Sequence, residues 1–398
     1  MHTKTLGVVL GSAALANAVN LFVADYGGNL STLKLTETQN GHDLTVSSTS
    51  RDCQPSPSWL TLDKKNNVLY CLDRGGYTPT STGSLNSFTI GNDGALKRVA
   101  SVKAPPGGVA GEIITGTKGK RGYFSASYTP GVAAVFSVGE QGALPGTEQL
   151  QQISSTIDKI GPIPSRQEAA HLHHVIIDPT GKCVITPDLG GDVCRVWSFD
   201  KDKLAPIAEV GALKAPAGSG PRHGFFKVTK TGETFFIFNG ELDQKVYSYR
   251  VKYSRTGLSF TKVFEITSLN ADFPPNTAPI SEIAMSPDER FVVVSNREKS
   301  FATSIEARSG PSDTLTTFLI KDNGTLEPVQ AAPSGGWLPR QFSFNKAGDK
   351  VAVGHQVNQT VVIWKRDVKT GKIVTEEEGG KLAQIKLTGD VVATVWDE

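Results

Sequence analysis

Five stretches of the chain repeat one pattern of apolar and polar positions: WLTLDKKNNVLYCLD, HVIIDPTGKCVITPD, GFFKVTKTGETFFIFNG, EIAMSPDERFVVVSN and QFSFNKAGDKVAVGH. In each, apolar residues alternate, a tight polar turn follows, and a run rich in β-branched and aromatic residues comes next. That is how an antiparallel hairpin with one buried face reads. EIITGTKGKRGYFSAS is a sixth, looser copy, and most copies are followed by another short strand such as LNSFTI, CRVWSF, KVYSYRV or TVVIWKR. With Leu60, Ile113, Val175, Gly224, Glu282 and Gln341 taken as equivalent, the separations are 53, 62, 49, 58 and 59 residues.

A period of that length, holding three or four antiparallel strands, suits propeller blades with decorated loops. Six units leave LFVADYGGNLSTLKL at the start and KLAQIKL with VVATVWDE at the end. Joining these fragments into one more blade removes the exposed edges that a linear stack would leave. The expected fold is all-β: a seven-bladed β-propeller of four-stranded antiparallel blades, closed by strands from both termini, with residues 19–398 as one domain. A two-domain β-sandwich is the competing all-β arrangement, but it does not produce the period. No window sustains helical spacing of apolar residues for a dozen positions, so long helices are not expected.

Composition narrows the function more than the fold. The formal net charge of +2 is spread without a basic block or an aromatic–basic stripe, so neither nucleic acid nor an anionic membrane is an expected partner. A small molecule is the expected ligand. At the start of the chain, Lys4 precedes an apolar run from Leu6 to Leu15, and Ala16 and Ala18 flank Asn17. This reads as a signal peptide over residues 1–18, too short to cross a bilayer, with secretion as the consequence. A buried first strand or helix is the alternative. Four cysteines fit an oxidising compartment and allow three pairings, of which the local ones, Cys53 with Cys71 and Cys183 with Cys194, are favoured. Sequons stand at Asn29, Asn323 and Asn358. A closed ring has no free edge, so a monomer is expected.

In a propeller, residues at the entrance of each innermost strand converge on a shared site. The equivalent positions are His171, His173 and His174 in one unit, Arg222 and His223 in the next, then Glu282 and Arg340; second strands add Glu241 and Arg297. His171 and His173 fall on one face of a strand and His174 on the other, where it reads as a packing residue. The same-face pair lacks a third metal ligand at the usual spacing, so no metal or cofactor is expected. Acid–base work or anion binding by His173 is the better expectation, because imidazole titrates near neutrality. Arg222 and Arg297 present planar forks suited to carboxylate or phosphate, although a structural ion pair within a blade uses the same residues. Glu241, near the arginines, would be held ionised, as a proton acceptor or simply as a counter-ion for Arg222. His171, His223, Glu282 and Arg340 are expected to line the substrate pocket, and Arg340 partly repeats the Pro-Arg of GSGPRH. No G-x-S-x-G elbow and no phosphate-binding glycine loop occurs in the chain.

Taken in order, SRQEAAHLHHVIIDPTGKCVITPDLGGDVCRVWSFD, GSGPRHGFF, FNGEL, SEIAMSPDERFVVVSNR and LPRQFSF resemble the seven-bladed lactonase family, which includes bacterial 6-phosphogluconolactonase and the fungal carboxy-cis,cis-muconate cyclase. The likeness spans roughly residues 20 to 365. It implies a site made of the histidine of H-x-x-x-x-DPT, the arginine of the Pro-Arg motif, a glutamate near the next strand end and an arginine in a later strand. These fall on His173, Arg222, Glu241 and Arg297. By that likeness the arginines would bind the acidic group and polarise a ring carbonyl, while His173 or Glu241 activates water or protonates the leaving hydroxyl; in a cyclase the same arginines would hold carboxylates. FNGEL has one residue more than the family's NEL, so a bulge there is expected to re-aim Glu241. A non-catalytic ligand-binding propeller is the alternative from a different class.

Overall fold

Alternating apolar side chains pair the strands of each repeat into a sheet with both faces covered, and the sheets then pack face to face around a ring. The computed structural model describes residues 18–76, 81–146, 150–255, 257–269, 277–297 and 312–398. Residues 1–17, and with them most of the expected signal peptide, lie outside this set. Ala18 is the first residue of the first strand.

Strands are numbered β1 to β28 in chain order, and they form seven four-stranded antiparallel sheets among the described residues. The innermost strands are β4 (Pro57–Asp63), β8 (Gly108–Thr115), β12 (Ile176–Ile177), β16 (Pro221–Val228), β20 (Ile280–Met285), β24 (Pro339–Phe344) and β28 (Val391–Trp396). Among the described residues, helical content is three 3₁₀ turns of three residues each. No helix among the described residues is long and apolar enough to cross a membrane. Seven hydrophobic clusters hold the ring, one at each junction between neighbouring blades. Trp197 is representative: it is buried against Phe124 of the adjacent blade, and its indole N–H donates to Thr186 Oγ1 at 2.7 Å, so the ring is buried without an orphaned donor.

Closure differs from the expectation in one respect. The closing blade has the order β28-β1-β2-β3, with β1 (Ala18–Asp25), β2 (Leu30–Thr38) and β3 (Gly41–Ser50) completed by the C-terminal strand alone. KLAQIKL forms β27 (Lys381–Lys386), the outer strand of the preceding blade. The reason is connectivity: β27 follows its neighbour β26 (Thr360–Lys365) closely enough to finish that sheet, which leaves only β28 to cover the inner edge of β1.

Cys53 and Cys71 form a disulfide, as expected. Cys183 and Cys194 do not: both are free and buried. They lie on the paired strands β13 (Cys183–Asp188) and β14 (Val193–Phe199), but Cys183 faces Ser198 while Cys194 faces Pro187. A four-residue offset separates them by roughly 13 Å along the strands, well beyond the reach of a disulfide. At the first sequon, Asn29 Nδ2, the atom that would carry a glycan, instead donates to both carboxylate oxygens of Asp25 at 3.1 and 3.0 Å.

Candidate active site

One end of the ring is where every innermost strand begins and every second strand ends. The residue after each second strand donates its backbone N–H to the residue just before the innermost strand or in the segment leading to it: Tyr26 to Asp390, Arg74 to Ser56, Tyr128 to Gly107, Leu189 to His171, Glu241 to Gly220, Arg297 to Pro279 and Gln356 to Leu338. These seven positions are structurally equivalent, and they bring Glu241 and Arg297 to the same mouth as Tyr26, Arg74 and Tyr128.

A second repeated device acts on the innermost strands. Register shifts lie between Pro57 and Trp59, Gly108 and Ala110, Pro221 and Gly224, Ile280 and Ile283, and Pro339 and Gln341, each placing one extra residue on the inner strand. Such bulges break the in–out alternation and re-aim side chains. Consecutive residues can therefore serve one site, and Arg222 and His223 touch each other, with Nη1 and Nε2 3.1 Å apart. The bulge expected in FNGEL is thus found on the facing strand, around Arg222 and His223.

Glu241 is the electrostatic centre. Its Oε1 lies 2.6 Å from Arg166 Nη2 and 2.9 Å from Arg297 Nη2, and its Oε2 lies 2.9 Å from Arg222 Nε. The Arg222 N–H does not point along that last vector, so this contact is an ion pair without a directed hydrogen bond. Burial would push the Glu241 carboxyl up, but Arg297, Arg222 and Arg166 outweigh it and hold it at about 2. A carboxylate so acidic and so fully engaged is a poor proton acceptor. It fixes three guanidinium groups in place. Arg222 is 1% exposed, donates from Nη1 to the Ser281 carbonyl at 2.7 Å, and is brought down by burial to about 9, still cationic at neutral pH. Arg340 lines the same small central void as Arg222, His223 and Glu282, and its guanidinium lies 5.7 Å from the Tyr26 ring centroid. Burial raises the Tyr26 phenol, yet Arg340, Arg74 and Arg222 together bring it below its ordinary value.

The histidines form the other half. His173 Nδ1 lies 3.2 Å from His223 Nε2, and His223 Nδ1 lies 2.8 Å from Glu282 Oε1. Burial pushes His173 well below 6.5, and Arg222, His223 and Arg340 push it further, so it is neutral at pH 7. His223 is lowered in the same way by burial and then Arg222. Burial raises Glu282 to about 7 against His174 and Arg222. Contrary to the strand-based expectation, His174 is not turned away: its ring stacks on His223 at 4.3 Å. The segment is regular strand only from Ile176, so strict alternation does not apply to residues 171–174. His171 is tied up in packing, with Nδ1 3.0 Å from the Tyr128 carbonyl, Nε2 3.0 Å from Glu168 and its ring stacked on Tyr128 at 4.2 Å. That leaves no ring nitrogen for a substrate.

Seven of the eight expected site residues therefore share one network: His173, His223, Glu282, Arg222, Glu241, Arg297 and Arg340. Arg166, Tyr128, Tyr26, Arg74 and Trp59 were missed. Trp59 packs edge-on to His223 at 5.7 Å. Tyr26, Arg74 and Tyr128 occupy the register of Glu241 and Arg297, and applying that register to every repeat would have found them. Arg166 lies in a long connection with no repeat to mark it.

Together these residues give a seven-bladed β-propeller whose mouth is cationic and bears histidines. Residues 20–384 match the family model described as "Lactonase, 7-bladed beta-propeller", and the chain belongs to that family. It is 28% identical over 324 residues to a probable 6-phosphogluconolactonase of Arthroderma benhamiae, covering 81% of this chain and 76% of that one. It is 28% identical over 260 residues to a 6-phosphogluconolactonase of Formosa agariphila, covering 64% and 67%. Among solved structures, the periplasmic gluconolactonase of Pseudomonas aeruginosa superposes with a TM-score of 0.77 at 22% identity, covering 96% of this chain and 99% of the other.

Proposed function

We propose that this protein is a secreted lactonase that opens an anionic sugar lactone of the 6-phosphogluconolactone kind. The observation that carries the reading is the charge surplus at the mouth: Arg166, Arg222 and Arg297 surround one fully ionised carboxylate, Glu241, and Arg340 lines the void beside Arg222, next to a neutral histidine. Such a site takes an anion and stabilises negative charge that grows during reaction. Arg166 and Arg297 are more accessible than the buried Arg222 and would receive the acidic group, with Arg222 and Arg340, which line one void, serving the lactone carbonyl. His173 takes a proton from water as the water oxygen bonds to the carbonyl carbon, and the carbonyl oxygen becomes an oxyanion held by the guanidinium groups. Collapse of the tetrahedral intermediate breaks the ring C–O bond, and the imidazolium returns the proton to the departing alkoxide. A bound anion offsets the field of the arginines, which makes His173 a stronger base in the complex than in the free protein.

The names of the curated relatives support hydrolysis of a sugar lactone. The signal-peptide pattern and the Cys53–Cys71 disulfide support secretion. The test is a panel of sugar lactones, phosphorylated and not, with carboxymuconate beside them, followed by acid release and ultraviolet absorbance. Acid release from a lactone, lost in His173→Ala and Arg222→Ala, is the expected result. Loss of muconate absorbance without lactone hydrolysis would move the protein to the cyclases, and no turnover across the panel would make it a binding propeller.

A further inference from the structure

The hydrogen bonds around His223 determine where its protons sit, and this has a consequence one residue further along. Guanidinium nitrogens only donate, so the 3.1 Å contact from Arg222 Nη1 makes His223 Nε2 an acceptor. His223 then carries its single proton on Nδ1, where it donates to Glu282 Oε1 at 2.8 Å. The same Glu282 oxygen accepts the Ile283 N–H at 2.9 Å, which fixes the carboxyl group. Since His223 Nε2 has no hydrogen to give, the 3.2 Å contact with His173 Nδ1 is attractive only when His173 holds its proton on Nδ1. His173 Nε2 is left as a bare lone pair, and it makes no hydrogen bond among the described residues. His223 is itself clamped, by a backbone N–H donated to Asn239 Oδ1 at 2.8 Å and by stacking on His174.

We propose that Glu282 and His223 are positioning residues that hold His173 in its Nδ1–H tautomer, so that His173 Nε2 is the atom that accepts the proton of the attacking water. The inference rests on the lactonase reading above and assigns the base within it to one nitrogen. Arg222 acquires a second task, because its Nη1 forces the acceptor role on His223. Glu282 and His223 need not touch the substrate, and they act through the direction of the His173 lone pair.

The tautomer can be read without substrate. The full chain, with ¹⁵N-labelled imidazoles, is examined at pH 7 by long-range ¹⁵N–¹H correlation, and His173 is assigned through a His173→Asn variant. Wild type is expected to show His173 with a protonated Nδ1 and an unprotonated Nε2. His223→Leu removes the acceptor and is expected to lower kcat by about 10²-fold or more, the usual scale of a lost acid–base group, with KM changed far less. His223→Gln, whose amide oxygen can accept from His173 Nδ1, is expected to recover most of that loss. A His173 signal with the proton on Nε2 would overturn the inference, as would wild-type turnover in His223→Leu. A wild-type protein with the expected tautomer and no activity on any lactone would instead refute the underlying function and end the proton-accepting role with it.

Discussion

Replacing Glu241 with glutamine tests the electrostatic design of the mouth directly. The change keeps the side-chain shape but removes the negative charge that Arg166, Arg222 and Arg297 share. A carboxyl that titrates at 4.5 when unfolded and at about 2 when folded is linked to about 3 kcal/mol of stability. Removing one partner of a buried ion pair costs about 3–5 kcal/mol by a separate line of reasoning, so the two agree. Unfolding entropy of about 2.1 cal/mol/K per residue gives roughly 0.8 kcal/mol/K for 398 residues. Glu241→Gln should therefore lower Tm by about 4 to 6 °C at pH 7 in scanning calorimetry. The folded-state pKa is depressed, so the stabilisation is complete above about 4.5 and is lost as the pH falls toward about 2. Glutamine does not titrate, and the gap between the two proteins should narrow across that window. A variant that melts within 1 °C of wild type at pH 7, or a gap that stays constant from pH 7 to pH 3, would refute the assignment of Glu241 as the counter-ion of the arginines.

Three further outcomes follow from the same geometry. Arg166 is 37% exposed on its side chain, so Arg166→Gln should leave Tm within about 1 °C, as surface pairs contribute little, while raising KM for an anionic lactone several-fold in steady-state assays. Thiol titration of denatured, unreduced protein should count two groups, Cys183 and Cys194, and four after reduction, with neither reacting in the native state; the double variant Cys53→Ser, Cys71→Ser should lose about 3 kcal/mol in denaturant unfolding, given a closed loop of 18 residues. Gly190→Ala would place Cβ 1.7 Å from the Ala169 carbonyl oxygen and 3.0 Å from the His171 ring, so the 169–171 segment must shift, lowering stability by about 1–3 kcal/mol and turnover with it, as measured by thermal unfolding and lactone hydrolysis.

The repeat was legible because each blade buries both faces of its sheet, which forces the same apolar alternation into every unit. Glu241, Arg297 and Arg222 were legible for the related reason that they sit at fixed offsets from those runs. Register was harder to read. Nothing in the apolar pattern marks the extra residue at Pro221–Gly224, so the bulge was expected beside Glu241 and lies on the opposite strand. The cysteine pairing failed on the same ground, because nearness in sequence says nothing about a four-residue offset across a hairpin. The direction of His174, though not its packing role, was misread because alternation was extended into a segment that pairs through a single bridge, Leu172 with Asp188, before regular strand begins at Ile176. Arg166 reaches Glu241 across 75 positions of chain from an irregular connection, a contact that no local pattern encodes.

Pairing of Leu21 with Trp396 makes the first-made strand wait for the last-made one. During synthesis, β1 to β3 emerge with an inner edge that nothing can cover until nearly the whole chain has appeared. Holding such distant partners together costs on the order of 5 kcal/mol of loop-closure entropy, met only when every intervening blade has already formed. The mouth gathers residues from Tyr26 to Arg340, and the contact between those two, 5.7 Å from guanidinium to ring centroid, joins the first-made blade to one made late. Closure by β28 is therefore the step that brings Tyr26 and Arg340 together, whereas the contacts among His173, Arg222, His223, Glu241, Glu282 and Arg297 are made within and between consecutive blades earlier in the chain.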